Sequence, residues 1–310
     1  MGYKLAGFEV VGCCEIDQKM IEIYRKNNHP RISYCCDIRD LLDQDLPEEL
    51  YDLDVLDGSP PCSVFSMAGK REAGWNTEKQ FREGQKMQRL DDLFFYFIDV
   101  AKALRPKVVV AENVKGLIGG KARGDVNEII KAFEAAGYDL QLFLLNSERM
   151  GVPQSRERVF CIGRRKDLDL PKILLDFNED LITFGSVRSE KGLPVSPMVE
   201  ALMKLRVPSD KDLSDISKRV RRKNAGFTCP LHADDRPAYT MTSGGNAYRM
   251  ADGLRLTDQD IINSQTFPQD YDFGGEPVKY VCGMSVPPVM MANVATEIKE
   301  QLFKKWEKNV

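Results

Sequence analysis

The chain has 310 residues, of which 43% are apolar and 29% charged, so it is a folded protein with room for one large domain and a smaller one. Its net charge of −3 argues against a uniformly basic, histone-like DNA binder, although it is compatible with a local basic groove. The longest apolar run, residues 93–98, is far shorter than the roughly 20 residues of a membrane-spanning helix. Eight cysteines without a signal-peptide pattern predict reduced thiols in a cytoplasmic protein.

Short β-like runs alternate with helical patterns over residues 1–166. This alternation predicts an α/β fold, a doubly wound parallel sheet with helices on both faces. Such a sheet binds its ligands at the carboxyl ends of the strands. The predicted strands cover residues 8–14, 32–36, 53–57, 107–111, 140–145 and 158–163, and the predicted helices cover residues 19–28, 90–104 and 125–136.

The alternation stops after residue 166, where the chain becomes rich in proline and charge and loses its periodicity. Residues 167–234 are therefore predicted to form a small, mostly irregular domain. Its basic run at 218–223 is either a solvated face, which is the commoner case, or a nucleic-acid contact. Helical patterns at 257–267 and 287–306 indicate that residues 235–310 return to the first domain.

Acidic residues follow the first two predicted strands. Glu15 follows the first strand and Asp37 follows the second. A carboxylate at that position either accepts hydrogen bonds from a nucleoside cofactor or caps the next helix, and the cap is the commoner case.

A more specific signal follows the third predicted strand, where Pro60 and Pro61 immediately precede Cys62. Most single cysteines are buried and inert. Two prolines fix the backbone, however, and the end of a strand exposes the side chain to a ligand. Cys62 is therefore predicted to act as a nucleophile.

Two further candidates lie downstream. Glu112 follows a strongly apolar strand, where poor solvation favours a proton donor, although a structural ion pair is the alternative. Arg156 and Arg158 are two residues apart, so on an extended chain they face the same way. They would suit a phosphate or a carbonyl oxygen, or they form a charge pair on an edge strand.

The order of these pieces resembles the DNA cytosine-5 methyltransferase family, and the resemblance runs from one end of the chain to the other. It implies a Rossmann-like methyltransferase sheet and a target-recognition domain at residues 167–234. Matches also occur at residues 235–242 and 255–271. The pieces that carry the resemblance are Pro60-Pro61-Cys62, Glu112-Asn113-Val114, Gln154-x-Arg156-x-Arg158 and Gly283-x-x-Val286-Pro287-Pro288.

The resemblance implies methyl transfer from S-adenosylmethionine to carbon 5 of a flipped-out cytosine in double-stranded DNA. Cys62 would add to carbon 6 of the base, Glu112 would bind its N3 edge, and Arg158, supported by Arg156, would bind its carbonyl oxygen. No metal is implied. The implied cofactor contacts are Glu15, Ile16, Asp37, Ile38, Pro60, Leu93, Ser285 and Val286, and the implied DNA contacts are Ser63, Arg71, Gln154, Arg221, Arg222 and Lys223.

The family also implies a loop at residues 63–89 that closes over the base, and a monomer for which a cognate restriction endonuclease would act separately. Two departures touch the cofactor. The family's glycine-rich loop is absent before the first strand, and Met284 stands where an asparagine is usual. The chain as written is therefore expected to bind the cofactor weakly or not at all, and to be less stable than a version extended upstream. A misassigned start, a shortened chain or a lost activity would each explain the departures.

Alternative functions stay open at this stage. One is a catalytically silent relative that binds DNA, and another is a cytosine-5 methyltransferase that acts on RNA. A nicotinamide oxidoreductase would use the same sheet, but it would not account for Pro60-Pro61-Cys62, and the chain has no Gly-x-Gly-x-x-Gly.

Overall fold

The computed structural model describes residues 1–60, 92–119, 123–222 and 228–304, with only the backbone of residues 123–125. Five of the predictions above lie outside the described residues. They concern Cys62, Ser63, Arg71, Lys223 and the loop at 63–89.

The described residues form a mixed α/β structure. Within them, no helix combines the length and the apolar character that crossing a membrane requires. The strands are β1 (Gly12–Cys14), β2 (Ile32–Tyr34), β3 (Val55–Gly58), β4 (Val108–Val114), β5 (Tyr138–Asn146), β6 (Gln154–Ser155), β7 (Glu157–Arg165), β8 (Leu231–His232), β9 (Ala238–Tyr239) and β10 (Tyr248–Arg249). The α-helices are α1 (Gly2–Leu5), α2 (Gln18–Asn28), α3 (Leu93–Leu104), α4 (Arg123–Ala135), α5 (Phe184–Val187), α6 (Pro197–Met203), α7 (Leu213–Arg221), α8 (Asp258–Ser264), α9 (Val278–Met284) and α10 (Pro288–Ile298).

The chain divides into two compact units, each built from more than one segment. The sheet unit comprises Glu9–Leu145, Glu157–Leu175 and Glu297–Val310. The second unit comprises Met1–Phe8, Asn146–Arg156 and Asp176–Thr296. The functional division at residues 166 and 234 stays a prediction.

The main sheet of the sheet unit has the strand order β3-β4-β7-β5, and β1 pairs with β2 in a separate parallel pair. β3 and β4 are parallel, as expected. β7, however, runs antiparallel to β4, so the prediction of a wholly parallel sheet is wrong at this strand. The reason is the short link between β5 and β7. It contains no α-helix, and a parallel return usually needs one.

Strand β4 is longer than predicted. Val108 to Ala111 are completely buried, as expected for a central strand, but the strand continues to Val114. Glu112 and Asn113 therefore lie within β4 and not after it. Val114 lies opposite Arg158 in the pairing of β4 with β7. The backbone hydrogen bonds between these two strands therefore continue through the Glu-Asn-Val motif.

Helix α3 packs its apolar face against β4 and α4. Phe94 and Phe97 are nearly fully buried in this cluster, together with Phe133 of α4. Gly58, the last residue of β3, touches the ring of Phe97 so closely that a Cβ there would collide with it. This contact fixes the end of β3, which leads directly to Pro60.

The second unit contains more regular structure than its sequence predicts. The sequence predicts a mostly irregular segment at residues 167–234, and the described residues of this segment are mostly irregular, but they also contain the short helices α5, α6 and α7. Helix α7 begins with a capping box formed by Asp212 and Asp215. Its buried face alternates apolar and small polar residues, which hides the helical period in the sequence. That face consists of Leu213, Ser214, Ile216 and Ser217.

A fully buried ion pair organises the second unit. Both side chains are 0% exposed, and Arg249 Nη2 donates to the two carboxylate oxygens of Asp260 at 2.8 and 2.7 Å. Asp260 also accepts from the backbone N–H of Thr257 and of Ser189. The carboxylate is thus fully hydrogen-bonded, as a buried charge requires.

A buried histidine makes the stability of the second unit depend on pH. His232 Nδ1 accepts a hydrogen bond from the backbone N–H of Tyr239 at 3.1 Å. Burial lowers the pKa of His232 from 6.5 to about 3, with only a partial opposing effect from Asp260. The unfolded chain therefore binds a proton below pH 6.5 that the folded chain excludes. We expect this residue to reduce the free energy of unfolding by about 1.4 kcal/mol per pH unit as the pH falls from 6.5 to about 3.

Urea unfolding at several pH values measures this effect. The His232→Asn variant retains an acceptor for the Tyr239 N–H and should lose stability less steeply as the pH falls. The other histidine of the chain, the exposed His29, provides the matched control. His29→Asn should follow the wild-type slope. Parallel curves for the wild type and His232→Asn would contradict the prediction.

Candidate active site

A buried ion pair connects two neighbouring strands of the sheet unit. Arg158 Nε on β7 lies 2.9 Å from Glu112 Oε1 on β4, and the two side chains are only 14% and 12% exposed. Burial lowers the pKa of Arg158, and the carboxylate of Glu112 opposes that effect. The ion-pair alternative for Glu112 is therefore confirmed, with the cation on the neighbouring strand. Its proton-donor role stays a prediction.

The end of β4 also holds the backbone that leads into Cys62. Asn113 is 3% exposed, and its Nδ2 donates to the carbonyl oxygen of Pro60 at 3.2 Å. Its Oδ1 accepts from the backbone N–H of Val114 at 2.8 Å, which orients the amide. Cys62 follows Pro60 by two positions in the sequence. The Glu-Asn-Val motif thus contacts Pro60, the first residue of the Pro-Pro-Cys motif, just beyond the end of the adjacent parallel strand β3.

Two other cysteines are poor candidates for the nucleophile. Burial raises the pKa of Cys161 to about 12, and the nearby Glu112 adds to this effect. Burial also raises the pKa of Cys282 to about 12. Both remain neutral thiols at pH 7, and the thiol is much less nucleophilic than the thiolate.

Arg156 and Arg158 do not converge on one group, which corrects the expectation from their spacing. Arg156 belongs neither to β6, which pairs with β9, nor to β7, which pairs with β4, so the alternation of one continuous strand does not apply. Arg156 is 2% exposed and donates to the carbonyl oxygens of Met241 at 2.9 Å and Gly283 at 3.0 Å. Its support of Arg158 therefore stays a prediction.

The environment of Gln154 does not fit the predicted DNA contact. Its side chain is completely buried, accepts from the backbone N–H of Met241 at 2.9 Å, and donates to the carbonyl oxygen of Ser264 at 3.2 Å. A buried amide that pairs backbone groups at both ends has a structural role.

Glu15 and Ile16 lie at the carboxyl end of β1. Glu15 Oε1 accepts from the backbone N–H of Asp17 at 2.9 Å, and burial raises the pKa of Glu15. Asp17, not Glu15, caps α2, so the cap alternative fails for Glu15. Ile16 is 42% exposed, which leaves an apolar surface beside the carboxylate.

Asp37 and Ile38 lie just beyond the carboxyl end of β2. Asp37 caps the short helix Ile38–Asp43, so the cap alternative is confirmed for this residue. Ile38 is partly buried and packs against the apolar clusters on both sides of it. Leu93, at the start of α3, is 7% exposed. These residues, with Glu15, Ile16 and Pro60, provide acidic and apolar groups around the strand ends.

The remaining predicted cofactor contacts lie in the second unit. Ser285 Oγ donates to the carbonyl oxygen of Val281 at 2.7 Å and ends α9, and Val286 is partly buried. Close packing explains the glycine of this motif, because a Cβ at Gly283 would collide with the backbone of Thr242 and Ser243. Contact of Ser285 and Val286 with a cofactor stays a prediction.

The basic run of the second unit divides into two groups. Arg219 pairs with Asp210 at 2.7 Å and donates to the carbonyl oxygen of Leu205, so it stabilises the unit. Arg221 and Arg222 are exposed at the carboxyl end of α7. These two side chains are available to an anionic partner.

Sequence reasoning missed two residues of the site. Asn113 belongs to the Glu-Asn-Val motif, in which only the glutamate was a candidate from the sequence. The hydrogen bond from the buried Asn113 amide to Pro60 identifies Asn113 as part of the site. Arg39 follows Asp37 by two positions and pairs with it. The signal available in the sequence was an arginine only two positions away from a predicted cofactor contact.

Comparisons with known proteins agree with this arrangement. The profile of the family described as C-5 cytosine-specific DNA methylase matches residues 1–211. The type II methyltransferase M.NgoPII of Neisseria gonorrhoeae is 29% identical over 97% of this chain and 92% of its own length. M.FnuDI of Fusobacterium nucleatum is 38% identical over 55% of this chain and 44% of its own length.

A solved structure supports the Rossmann-like fold. The DNMT2 of Spodoptera frugiperda is 18% identical, has a TM-score of 0.63, and covers 96% of this chain and 95% of its own. The family match covers more than half of the sequence and includes the strands that carry Glu112 and Arg158. The chain is therefore a methyltransferase and belongs to the C-5 cytosine-specific DNA methylase family.

Proposed function

We propose that this chain methylates carbon 5 of cytosine in double-stranded DNA through a covalent bond between Cys62 and carbon 6 of the base. The buried pair of Glu112 and Arg158 carries the proposal. Glu112 lies on β4, whose Asn113 holds the carbonyl oxygen of Pro60, two positions before Cys62 in the sequence. A carboxyl group and a guanidinium group, with the thiol of Cys62 two positions after Pro60 in the sequence, are the groups that this chemistry needs.

Each of these groups has a distinct role. Carbon 5 of cytosine is a weak nucleophile, and addition of the Cys62 thiolate to carbon 6 makes it enamine-like. Glu112 binds the N3 edge and the exocyclic amine, which stabilises charge that develops on the ring. Arg158 uses Nε for Glu112 and Nη1 for the carbonyl oxygen of Glu157, so we assign Nη2 to the base carbonyl oxygen. After carbon 5 has received the methyl group, its proton passes to solvent water, the double bond between carbons 5 and 6 re-forms, and the bond from carbon 6 to sulfur breaks, so that Cys62 leaves as thiolate.

The strand ends also fit a nucleoside cofactor. S-adenosylmethionine would supply the methyl group when bound. The Glu15 carboxylate, partly buried, suits ribose hydroxyls, while the exposed Ile16 suits the face of a purine. Asp37 suits an exocyclic amine, and Ile38 adds apolar surface. Pro60 and Leu93 complete the proposed set in the sheet unit, and contact of Ser285 and Val286 with the cofactor stays a proposal from the sequence motif.

Residues 167–234 are proposed to recognise the DNA target. Carbons 5 and 6 are inaccessible in a stacked duplex, so the cytosine must leave the helix before it reacts. We also propose a monomer in the cytoplasm, with any cognate restriction endonuclease acting separately. The type II names of the relatives support that biological setting.

Arg221 and Arg222 are expected to bind DNA phosphates. Their replacement by alanine should weaken binding to all DNA sequences and reduce the slope of log affinity against log salt by about one for each phosphate that is no longer bound. Fluorescence anisotropy over a salt series measures both effects. Lys204→Ala is the matched control, because Lys204 is an exposed lysine at the end of α6 and pairs with Glu200 in the same unit. A changed sequence preference with an unaltered salt slope would instead indicate base readout.

Transfer of labelled methyl groups tests the proposed function directly. The chain is incubated with S-adenosylmethionine carrying a tritiated methyl group and either genomic DNA or transfer RNA, and the nucleosides are then separated. We expect label in 5-methylcytosine of DNA. Label in RNA alone would indicate the RNA alternative. Binding of DNA without any transfer would indicate the catalytically silent alternative.

A further inference from the structure

An arginine bridges the proposed adenine-binding residue and the start of α3. Arg39 Nη1 lies 2.8 Å from Asp37 Oδ2, and Arg39 Nη2 lies 3.0 Å from Asp92 Oδ1. The backbone N–H of Arg39 donates to Asp37 Oδ1 at 3.0 Å. The guanidinium carbon lies 5.5 Å from the ring centroid of Tyr96. Arg39 is therefore held on several sides and contacts both oxygens of Asp37.

We propose that Arg39 is a positioning residue that orients the Asp37 carboxylate toward the 6-amino group of the cofactor's adenine. This inference rests on the proposed function and adds a residue to it. Arg39 acts through Asp37 and has no direct role in the methyl transfer.

The geometry supports an orienting role. The Asp37 side chain is 19% exposed and the Arg39 side chain 22%, so water screens their interaction only partly. A carboxylate can accept about four hydrogen bonds, and Arg39 accounts for two of those on Asp37. The carboxylate thus has a defined rotamer and still has lone pairs for a ligand donor.

The bridge to Asp92 explains why Arg39 itself stays in place. Asp92 immediately precedes α3, and its side chain is 46% exposed, so this pair alone is a weak interaction. Tyr96, one turn into α3, adds a face for the guanidinium group. Asp92 and Tyr96 together hold one side of the Arg39 guanidinium group, and the other side of the group orients Asp37.

The chemistry of a carboxylate defines the expected selectivity. An ionised carboxylate only accepts hydrogen bonds, and the 6-amino group of adenine donates them. Hypoxanthine has a carbonyl oxygen at the same position, which would face the carboxylate as a second acceptor. An oriented Asp37 therefore distinguishes adenosine from inosine, and a freely rotating Asp37 does so poorly.

Calorimetric titration with two ligands tests the inference. The ligands are S-adenosylhomocysteine and S-inosylhomocysteine, which differ only at position 6 of the purine. We expect the wild type to prefer the adenosine compound by about tenfold or more, as for a hydrogen bond to a charged group. Arg39→Gln should reduce this preference to about threefold or less, mainly by weakening the adenosine compound. Arg39→Lys retains a cation and should restore part of the preference.

Two further variants complete the design. Asp37→Asn should remove the preference even though Arg39 is present. Arg31→Gln is the matched control. It also removes one positive charge, but from a residue that precedes β2 and whose side chain is 52% exposed. It should retain the wild-type preference. Thermal unfolding of each variant shows whether it is folded.

The outcomes separate the inference from the proposed function. A folded Arg39→Gln variant that binds both ligands more weakly by the same factor would indicate a merely structural arginine and overturn the inference. An unchanged preference in Arg39→Gln would also overturn it. A wild type that binds neither ligand would contradict the proposed function itself and would agree with the poor cofactor binding expected from the missing glycine-rich loop. Loss of preference in Arg39→Gln and in Asp37→Asn, but not in Arg31→Gln, supports both.

Discussion

Replacing Cys62 with serine is expected to abolish methyl transfer, lowering kcat by about three orders of magnitude or more. A serine hydroxyl is far less acidic than a thiol, so at neutral pH it does not provide the anion that adds to carbon 6. DNA binding should stay near normal, because the substitution exchanges one atom and removes no charge. Label transfer measures the activity, and anisotropy measures the binding.

A covalent trap makes the Cys62 prediction more specific. With S-adenosylmethionine and DNA that contains 5-fluorocytosine, carbon 5 receives the methyl group but carries fluorine in place of hydrogen, so the elimination that releases the cysteine is blocked. The wild type should form a complex that survives detergent, and Cys62→Ser should not. Cys35→Ser is the matched control, since Cys35 is an exposed thiol that donates to Gln18 Oε1 and a hydroxyl retains that bond. A serine variant with substantial turnover would remove Cys62 from the mechanism.

Replacing Glu112 with glutamine is expected to lower kcat by about two to three orders of magnitude. The amide has nearly the same shape but cannot transfer a proton to N3 of the ring or carry the negative charge that such a transfer leaves. It can still accept from Arg158 Nε through its oxygen. Arg158 then lacks a counterion in a site where burial already lowers its pKa. We therefore also expect a loss of about 1–3 kcal/mol in the free energy of unfolding.

The neighbouring glutamate provides a matched control for this variant. Glu157 forms an ion pair with Lys115 at 2.8 Å, but its side chain is 42% exposed. Glu157→Gln should therefore change stability by less than about 1 kcal/mol and leave turnover within about twofold. Urea unfolding and label transfer on both variants make the comparison. Full activity in Glu112→Gln would show that Glu112 serves only as the partner of Arg158.

The sequence by itself determined the class of the fold and the order of the motifs. Strongly apolar runs such as Val108 to Ala111 need complete burial, so their place in a central strand follows from composition alone. Helix α8 was also predictable, because Thr257 and Asp260 form a capping box from local contacts. Local features of this kind depend on residues within a few positions of each other.

Pairings between distant segments were decided only by the tertiary structure. The antiparallel direction of β7 depends on how the chain returns to β4, and that return has no signature in either strand. The same pairing places Arg158 beside Glu112, 46 positions away in the sequence, and so produces the buried ion pair.

The tertiary structure also decided which polar residues face a ligand. Gln154 and Arg156 belong to the motif of Arg158, yet they are buried against the carbonyl groups of Met241, Ser264 and Gly283. Side chains alternate between two faces only while a strand is continuous, and the break between β6 and β7 ends that alternation. A motif identifies residues that act in one protein family. Burial, which depends on the whole chain, decides whether each of them meets the substrate or supports the backbone.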